Sequence, residues 1–149
     1  MKLSEHFTFE ELTVTSHTSL QKTNRLSAEP FKKNLTYTAG ALEEIRAVLN
    51  VPMTITSGFR MPSLNSAVGG SKTSKHTQGL CADFQPIGMS VGDAFDLITA
   101  NKDKLHSVRK AIIEGVQGKN WIHVQSKVLA NEPTQFFSTN DGKNFTEVV

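Results

Sequence analysis

The stretch SKHTQGLCADF, residues 74–84, sets His76 seven residues before Asp83, with Gly79 between them and apolar residues around the acid. Its second half, LCADFQ, reads as a buried strand, and a carboxylate inside such a strand needs a partner. Left unpaired, a buried charge costs several kcal/mol. An arginine, a set of backbone donors and a metal ion are the three candidate partners, and the rest of the chain has to choose among them.

The 149 residues fit one domain of ordinary size, able to bury roughly two-thirds of its unfolded surface. A hydrophobic content of 38% and a charged content of 20% describe a soluble globular chain. The net charge of +2 is too small to argue for nucleic acid, although it suits an anionic surface. One cysteine excludes an internal disulfide framework. The opening MKLSEHFTFEEL has no apolar run of signal-peptide length, and no later run is long enough to cross a bilayer. The expectation is therefore synthesis in the cytosol, no membrane insertion, and any export by another route.

Working outward from residues 74–84, the pattern predicts one α+β domain over 1–149, with helices mostly early and an antiparallel sheet late. Thr8 and Glu11 stand at capping-box spacing in a short N-terminal helix. Residues 15–26 read as a polar loop. Phe31, Leu35, Thr38, Leu42, Ile45 and Leu49 recur every three or four residues, which predicts a helix over 28–49, capped by Ser27 and stopped by Pro52. Gly40 weakens that helix, and close packing against a neighbour is the expected reason. MTITSGF reads as a strand, MPSLNSAVGG as a short helix, and SVGDAFDLITAN as a helix capped by Ser90. RKAIIEGV and NWIHVQS form one hairpin, and TQFFST and KNFTEVV a second around NDG. Phe136, Phe137 and Phe145 are expected to pack that last hairpin, and His6, His17 and His106 to face solvent.

Strand alternation places Trp121, His123 and Gln125 on one face and Ile122 and Val124 on the other. The same rule sets Cys81, Asp83 and Gln85 against Ala82 and Phe84. Asp83 and His123 thus point away from the core on rigid strands, and Gly79 lets the loop carrying His76 fold back towards them. Two imidazoles and a carboxylate make a three-ligand zinc site with one position open, the pattern of hydrolytic zinc. Cys81 is either a fourth ligand or a small buried hydrophobe. Asp83 also has a metal-free partner available in Arg60.

A general base is needed next. With Gly118 and Lys119 as the central residues of a type II′ turn, Glu114 falls opposite His123 and on its face. There it can accept a proton and return it to a leaving amine; a solvated strand end is the other reading. A one-residue slip would turn Glu114 away.

At this point the sequence resembles a known family. SGFRMPSLNSAVGGSKTSKHTQGLCADF, residues 57–84, is similar to the core of the M15-type zinc peptidases, D-Ala-D-Ala carboxypeptidase-like enzymes that cut peptidoglycan peptides. Ser74, His76, Gly79 and the segment 82–84, after one extra small residue at Cys81, follow the family pattern, and WIHV supplies its strand-borne histidine. The opening HFTFEELTVTS resembles the small bacterial and phage-borne branch. The resemblance implies His76, Asp83 and His123 as Zn2+ ligands, and a small α+β fold shared with lysostaphin-like and hedgehog-like proteins. It also implies that Arg60, in SGFR, holds substrate or polarises the scissile carbonyl, and that Ser74 either bonds substrate or caps its loop. One departure matters: the positions where several branches carry a catalytic carboxylate or a further histidine are here Asn120 and Trp121, which leaves Glu114 as the base.

The implied activity is hydrolysis of peptide bonds in peptidoglycan stem or bridge peptides by a monomer that needs no nucleic acid. A phage lysis protein (endolysin) or virion-associated cell-wall hydrolase matches the absence of an export signal. The alternative is an inactive peptidoglycan-binding or structural module that keeps the fold.

Overall fold

The computed structural model describes residues Met1–Val149. The longest helical stripe builds the outer layer. Helices α1 (Gln21–Ser27) and α2 (Lys32–Leu49) precede strand β1 (Met53–Ser57), and helix α3 (Pro62–Ala67) leads through a 3-10 turn at Lys75–Gln78 to β2 (Cys81–Pro86). Then come α4 (Val91–Ala100), β3 (Val108–Val116), β4 (Lys119–Ser126), β5 (Gln135–Thr139) and β6 (Thr146–Val148). The six strands form one sheet in the order β1-β2-β4-β3-β5-β6. Every neighbouring pair is antiparallel except β3 with β5, which is parallel. The class is α+β, as expected, with that one parallel pair added to the antiparallel plan.

The α2 stripe explains the packing. Leu35, Thr38, Leu42, Ile45 and Leu49 are all buried, and Phe31 packs against the same cluster. Burial of each of these leucines and isoleucines stabilises the fold by roughly 1.5–3 kcal/mol. Opposite them, Ala82, Phe84, Ala111, Ile122, Val124 and Phe136 supply the core face of the sheet, and Phe95 of α4 meets Phe136 edge to face at 6.2 Å. Helices thus cover one face of the sheet and leave the other free to bear polar groups.

Several boundaries differ from the sequence reading. Residues 21–27 are helical rather than loop, because Asn24 is fully buried and works at long range. Its amide donates to the carbonyls of Thr13 and Phe59, and its oxygen accepts from the Met61 N–H at 2.8 Å. Ser27 is not the cap of α2; a 3-10 turn at Glu29–Phe31 intervenes. Gly40 packs against nothing, since a Cβ there meets no atom within 4 Å. The predicted caps that rest on local contacts do form. Thr8 and Glu11 exchange hydrogen bonds at 3.1 Å in each direction, around a 3-10 turn rather than an α-helix, and Ser90 Oγ accepts from the Asp93 N–H at 3.0 Å.

Beyond β1 the chain leaves the sheet at Gly58, and Phe59 N donates to the Leu12 carbonyl at 2.8 Å. A Cβ on Gly58 would sit 2.1 Å from that carbonyl oxygen. Gly58→Ala is therefore expected to cost about 3 kcal/mol by overpacking against backbone. Gly40→Ala should instead gain about 0.5–1 kcal/mol through helix propensity. Urea midpoints of the two variants check both signs, and a stable Gly58→Ala protein would contradict the close approach.

Candidate active site

The hydrophobic periodicity of β2 and β4 decides what the open face carries. With Ala82, Phe84, Ile122 and Val124 turned into the core, Cys81, Asp83, Trp121, His123 and Gln125 must project the other way. The register pairs Asp83 with His123 and Cys81 with Gln125. Gly79, at a φ of 72°, ends the 3-10 turn and brings His76 over the same strands.

Asp83 finds its partners in the two imidazoles. Its Oδ1 lies 2.9 Å from His123 Nδ1 and 3.4 Å from His76 Nε2. His76 is 3% exposed, and its Nδ1 is 2.8 Å from the Gly58 carbonyl oxygen, which fixes the ring and turns Nε2 towards the acid. The two rings stand with centroids 5.2 Å apart. Burial would push the Asp83 carboxyl up, but the His76 charge and hydrogen bonds from both imidazoles hold it well below the usual carboxylate range. Burial likewise opposes protonation of His76, yet Cys81 and Asp83 carry it up to about 9, and they raise His123 as well. Two rings drawn towards the charged form around one carboxylate mark a setting that favours a cation.

Ligands about 2.0–2.1 Å from a tetrahedral metal lie about 3.3–3.4 Å apart. The Asp83–His76 separation of 3.4 Å matches that figure, whereas the 2.9 Å between Asp83 and His123 is a hydrogen bond that an ion would have to open by about 0.4 Å. The ligand atoms that already stand within 4.8 Å of one another form two overlapping groups, His76–Cys81–His123 and Asp83–Glu114–His123, which share His123. Two ring nitrogens and a carboxylate oxygen suit a borderline divalent ion. Cys81 is nearer the cluster than its apolar neighbours imply. It is fully buried, and its sulfur and one nitrogen each of His76 and His123 lie within 4.8 Å of one another. Burial pushes this thiol up, and the charges of His76 and His123 bring it down to about 7.

Glu114 also reaches the cluster, by a different register. The β3–β4 turn centres on Gln117 and Gly118, at φ values of 53° and 78°, rather than on Gly118 and Lys119. Both central residues being left-handed marks a type I′ turn, whose twist matches the strands it joins. Glu114 therefore pairs with Trp121, and Ile112 with His123. The slip is two residues, so the face is kept: Glu114 Oε2 stands 4.0 Å from His123 Nδ1 and accepts from Trp121 Nε1 at 3.2 Å. Burial raises the Glu114 carboxyl above its ordinary value, against the pull of His123. Asp83, Glu114 and His123 form a second potential metal-binding group.

Arg60 stands on the wall of the same cleft, which has a volume of about 700 Å³. It pairs with no carboxylate. Nη1 donates to Asn65 Oδ1 at 3.2 Å, and Nε is buried without a partner. Asn65, 3% exposed, also donates to the Ser71 carbonyl, so it ties Arg60 to the glycine loop. Gly70 is required there, because a Cβ would lie 2.1 Å from Asn65 Oδ1 and 2.9 Å from Arg60 Nη1. Ser74 lines the cleft, and its hydroxyl accepts from the His76 N–H at 3.2 Å as the cap of the turn.

From the sequence, Asn65 and the Gly69-Gly70 pair are expected to shape their loop and carry no chemistry; the structure agrees on the loop and adds that Asn65 and Gly70 position Arg60. The role of Trp121 is not visible in the sequence, because only the strand register reveals it. Phe145 also departs from expectation: it is 48% exposed and lines the cleft instead of packing its hairpin.

No curated protein matches the chain in sequence. Among known families, the one described as Peptidase M15 matches residues 5–125. That span holds the N-terminal segment, all the helices, β1 to β3 and nearly all of β4, with His76, Asp83, Glu114 and His123 inside it. The chain belongs to the peptidase M15 family.

Proposed function

We propose that the protein is a zinc-dependent peptidase that hydrolyses peptide bonds in peptidoglycan stem or bridge peptides, with His76, Asp83 and His123 holding the metal. The observation that carries this reading is the placing of Asp83 Oδ1 between His123 Nδ1 at 2.9 Å and His76 Nε2 at 3.4 Å. Bound zinc supplies a Lewis acid for the carbonyl and brings the pKa of water towards about 7.

The chain's own groups account for the rest. Glu114, raised by burial and steadied by Trp121, takes a proton from the attacking water as the oxygen–carbon bond forms. It returns that proton to the amine nitrogen as the carbon–nitrogen bond breaks. Arg60, free of any carboxylate and held by Asn65, binds a substrate carboxylate or the developing oxyanion. The cleft is lined by Arg60, Lys75, Arg109, Lys110 and Lys143 against the carboxylates Asp83, Glu114 and Asp141, a modest positive excess that suits acidic wall peptides. Action on the cell wall as a monomer, in a phage lysis or virion-associated setting, belongs to the same proposal.

A binding module without catalysis is the rival reading, motivated by Asn120 and Trp121 where several branches of the family carry the base. Release of amino groups from purified cell wall separates the two. Wild-type protein with zinc should release them, and Glu114→Gln should bind zinc normally but turn over about 10²- to 10⁴-fold more slowly. Asp83→Ala should lose both metal and activity. An inert wild type with full zinc occupancy would favour the binding module.

Zinc loading has its own signature. His76 and His123 are raised above an ordinary value of 6.5, so at pH 7 the metal-free site holds protons that zinc must displace. Calorimetry in buffers of different ionisation enthalpy should report release of about one to two protons, with affinity falling as pH drops. Uptake of protons, or pH-independent binding, would contradict the assignment.

A further inference from the structure

The family match ends at residue 125, but the cleft does not. Strand β5 lies parallel to β3, with Ile112 beside Phe137 and Glu114 beside Thr139, so Gln135, Phe137 and Thr139 share the face of Glu114 and His123. Lys110 is on that face too, its Nζ 5.5 Å from the Phe137 ring centroid. Between β5 and β6 the chain turns back, and Asp141, Gly142, Lys143 and Phe145 line the cleft. In the sheet order, this wall and Arg60, which follows β1, lie on opposite sides of Asp83 and His123.

The loop is a built one. The Asp141 carboxylate accepts from the Lys143 N–H, the Asn144 N–H and the Asn144 side chain, each at 2.8 Å, and Thr139 Oγ1 accepts from the Gly142 N–H at 3.0 Å. Asp141 thereby serves its own loop. Among lysines and arginines, only Lys32 and Arg109 pair with a carboxylate, which leaves Lys110 and Lys143 free of one. Two free ammonium groups, an exposed Phe145 and the nearly buried Ile112 border one end of the cleft.

We propose that the β5–β6 hairpin, together with the adjoining face of β3, forms a substrate subsite in which Lys143 of the hairpin and Lys110 of β3 hold a carboxylate of the peptide and Phe145 with Ile112 covers its aliphatic portion. The subsite rests on the peptidase reading of the cleft and extends it. It makes the hairpin a specificity element that reads a negative charge on the far side of the scissile bond from Arg60.

The test uses a soluble peptidoglycan stem pentapeptide and the same peptide with its side-chain carboxylates amidated and its C-terminal carboxylate kept for Arg60. Binding is followed by the fluorescence of Trp121, the chain's one tryptophan and a cleft residue, in the Glu114→Gln background to prevent turnover. Lys110→Ala and Lys143→Ala should each weaken the acidic peptide roughly fivefold, an effect that shrinks at high salt. The amidated peptide should bind all forms equally, and Lys143→Arg should restore the acidic one. Equal losses for both peptides, no loss for either, or no binding of the acidic peptide by the Glu114→Gln parent would overturn the subsite. Hydrolysis by the zinc-loaded wild type is measured separately. Selective binding without cleavage counts against the peptidase reading alone, and cleavage indifferent to both lysines against the subsite alone.

Discussion

A single charge, the Asp83 carboxylate, governs this structure. A carboxylate on a central strand is tolerable only if its surroundings replace the water it has lost. Here two imidazoles do so, one from the neighbouring strand and one from a turn folded back over it. Each imidazole needs its own support: His123 is fixed by the β2–β4 register, His76 by the Gly58 carbonyl. Gly58 in turn is fixed by contact with the N-terminal segment at Leu12. The first dozen residues, remote in sequence from the cluster, thus help to aim one of its rings.

The same logic separates the roles of the two acids. Asp83 is surrounded by groups that favour its charged form and is held low. Glu114, a few ångströms away, gains an indole donor but loses more to burial, and is raised. Two carboxylates driven in opposite directions are suited to different tasks, one to hold a cation and one to exchange a proton.

The alternation of β2 and β4 was legible in the sequence because a period of two admits only two choices of face, and the aliphatic residues make the choice. Pro52, the Ser90 cap and the Thr8–Glu11 pair were legible because they act within a few residues. What the sequence hid was decided at a distance. Residues 21–27 look like a polar loop until Asn24 is seen bridging Thr13, Phe59 and Met61. The β3–β4 turn differs from expectation because a left-handed glutamine is unusual, and a turn that starts with glycine is the commoner solution. Glu114 still arrived on the right face because the error was an even number of residues. The parallel placing of β5 beside β3, and with it the position of Phe145, has no local signature at all.

The sheet order carries one more consequence. β1 with β2 and β3 with β4 are two antiparallel pairs, joined edge to edge only where β2 meets β4, across some forty residues of intervening chain. His76 and Asp83 belong to one half and His123 and Glu114 to the other. An ion held by both halves would act as a rivet across that seam, because a ligand that binds only the assembled form stabilises it. Chelation would then do more than silence a reaction: it would remove a cross-link between β2 and β4 on the open face, leaving the shared core beneath the helices to hold the seam.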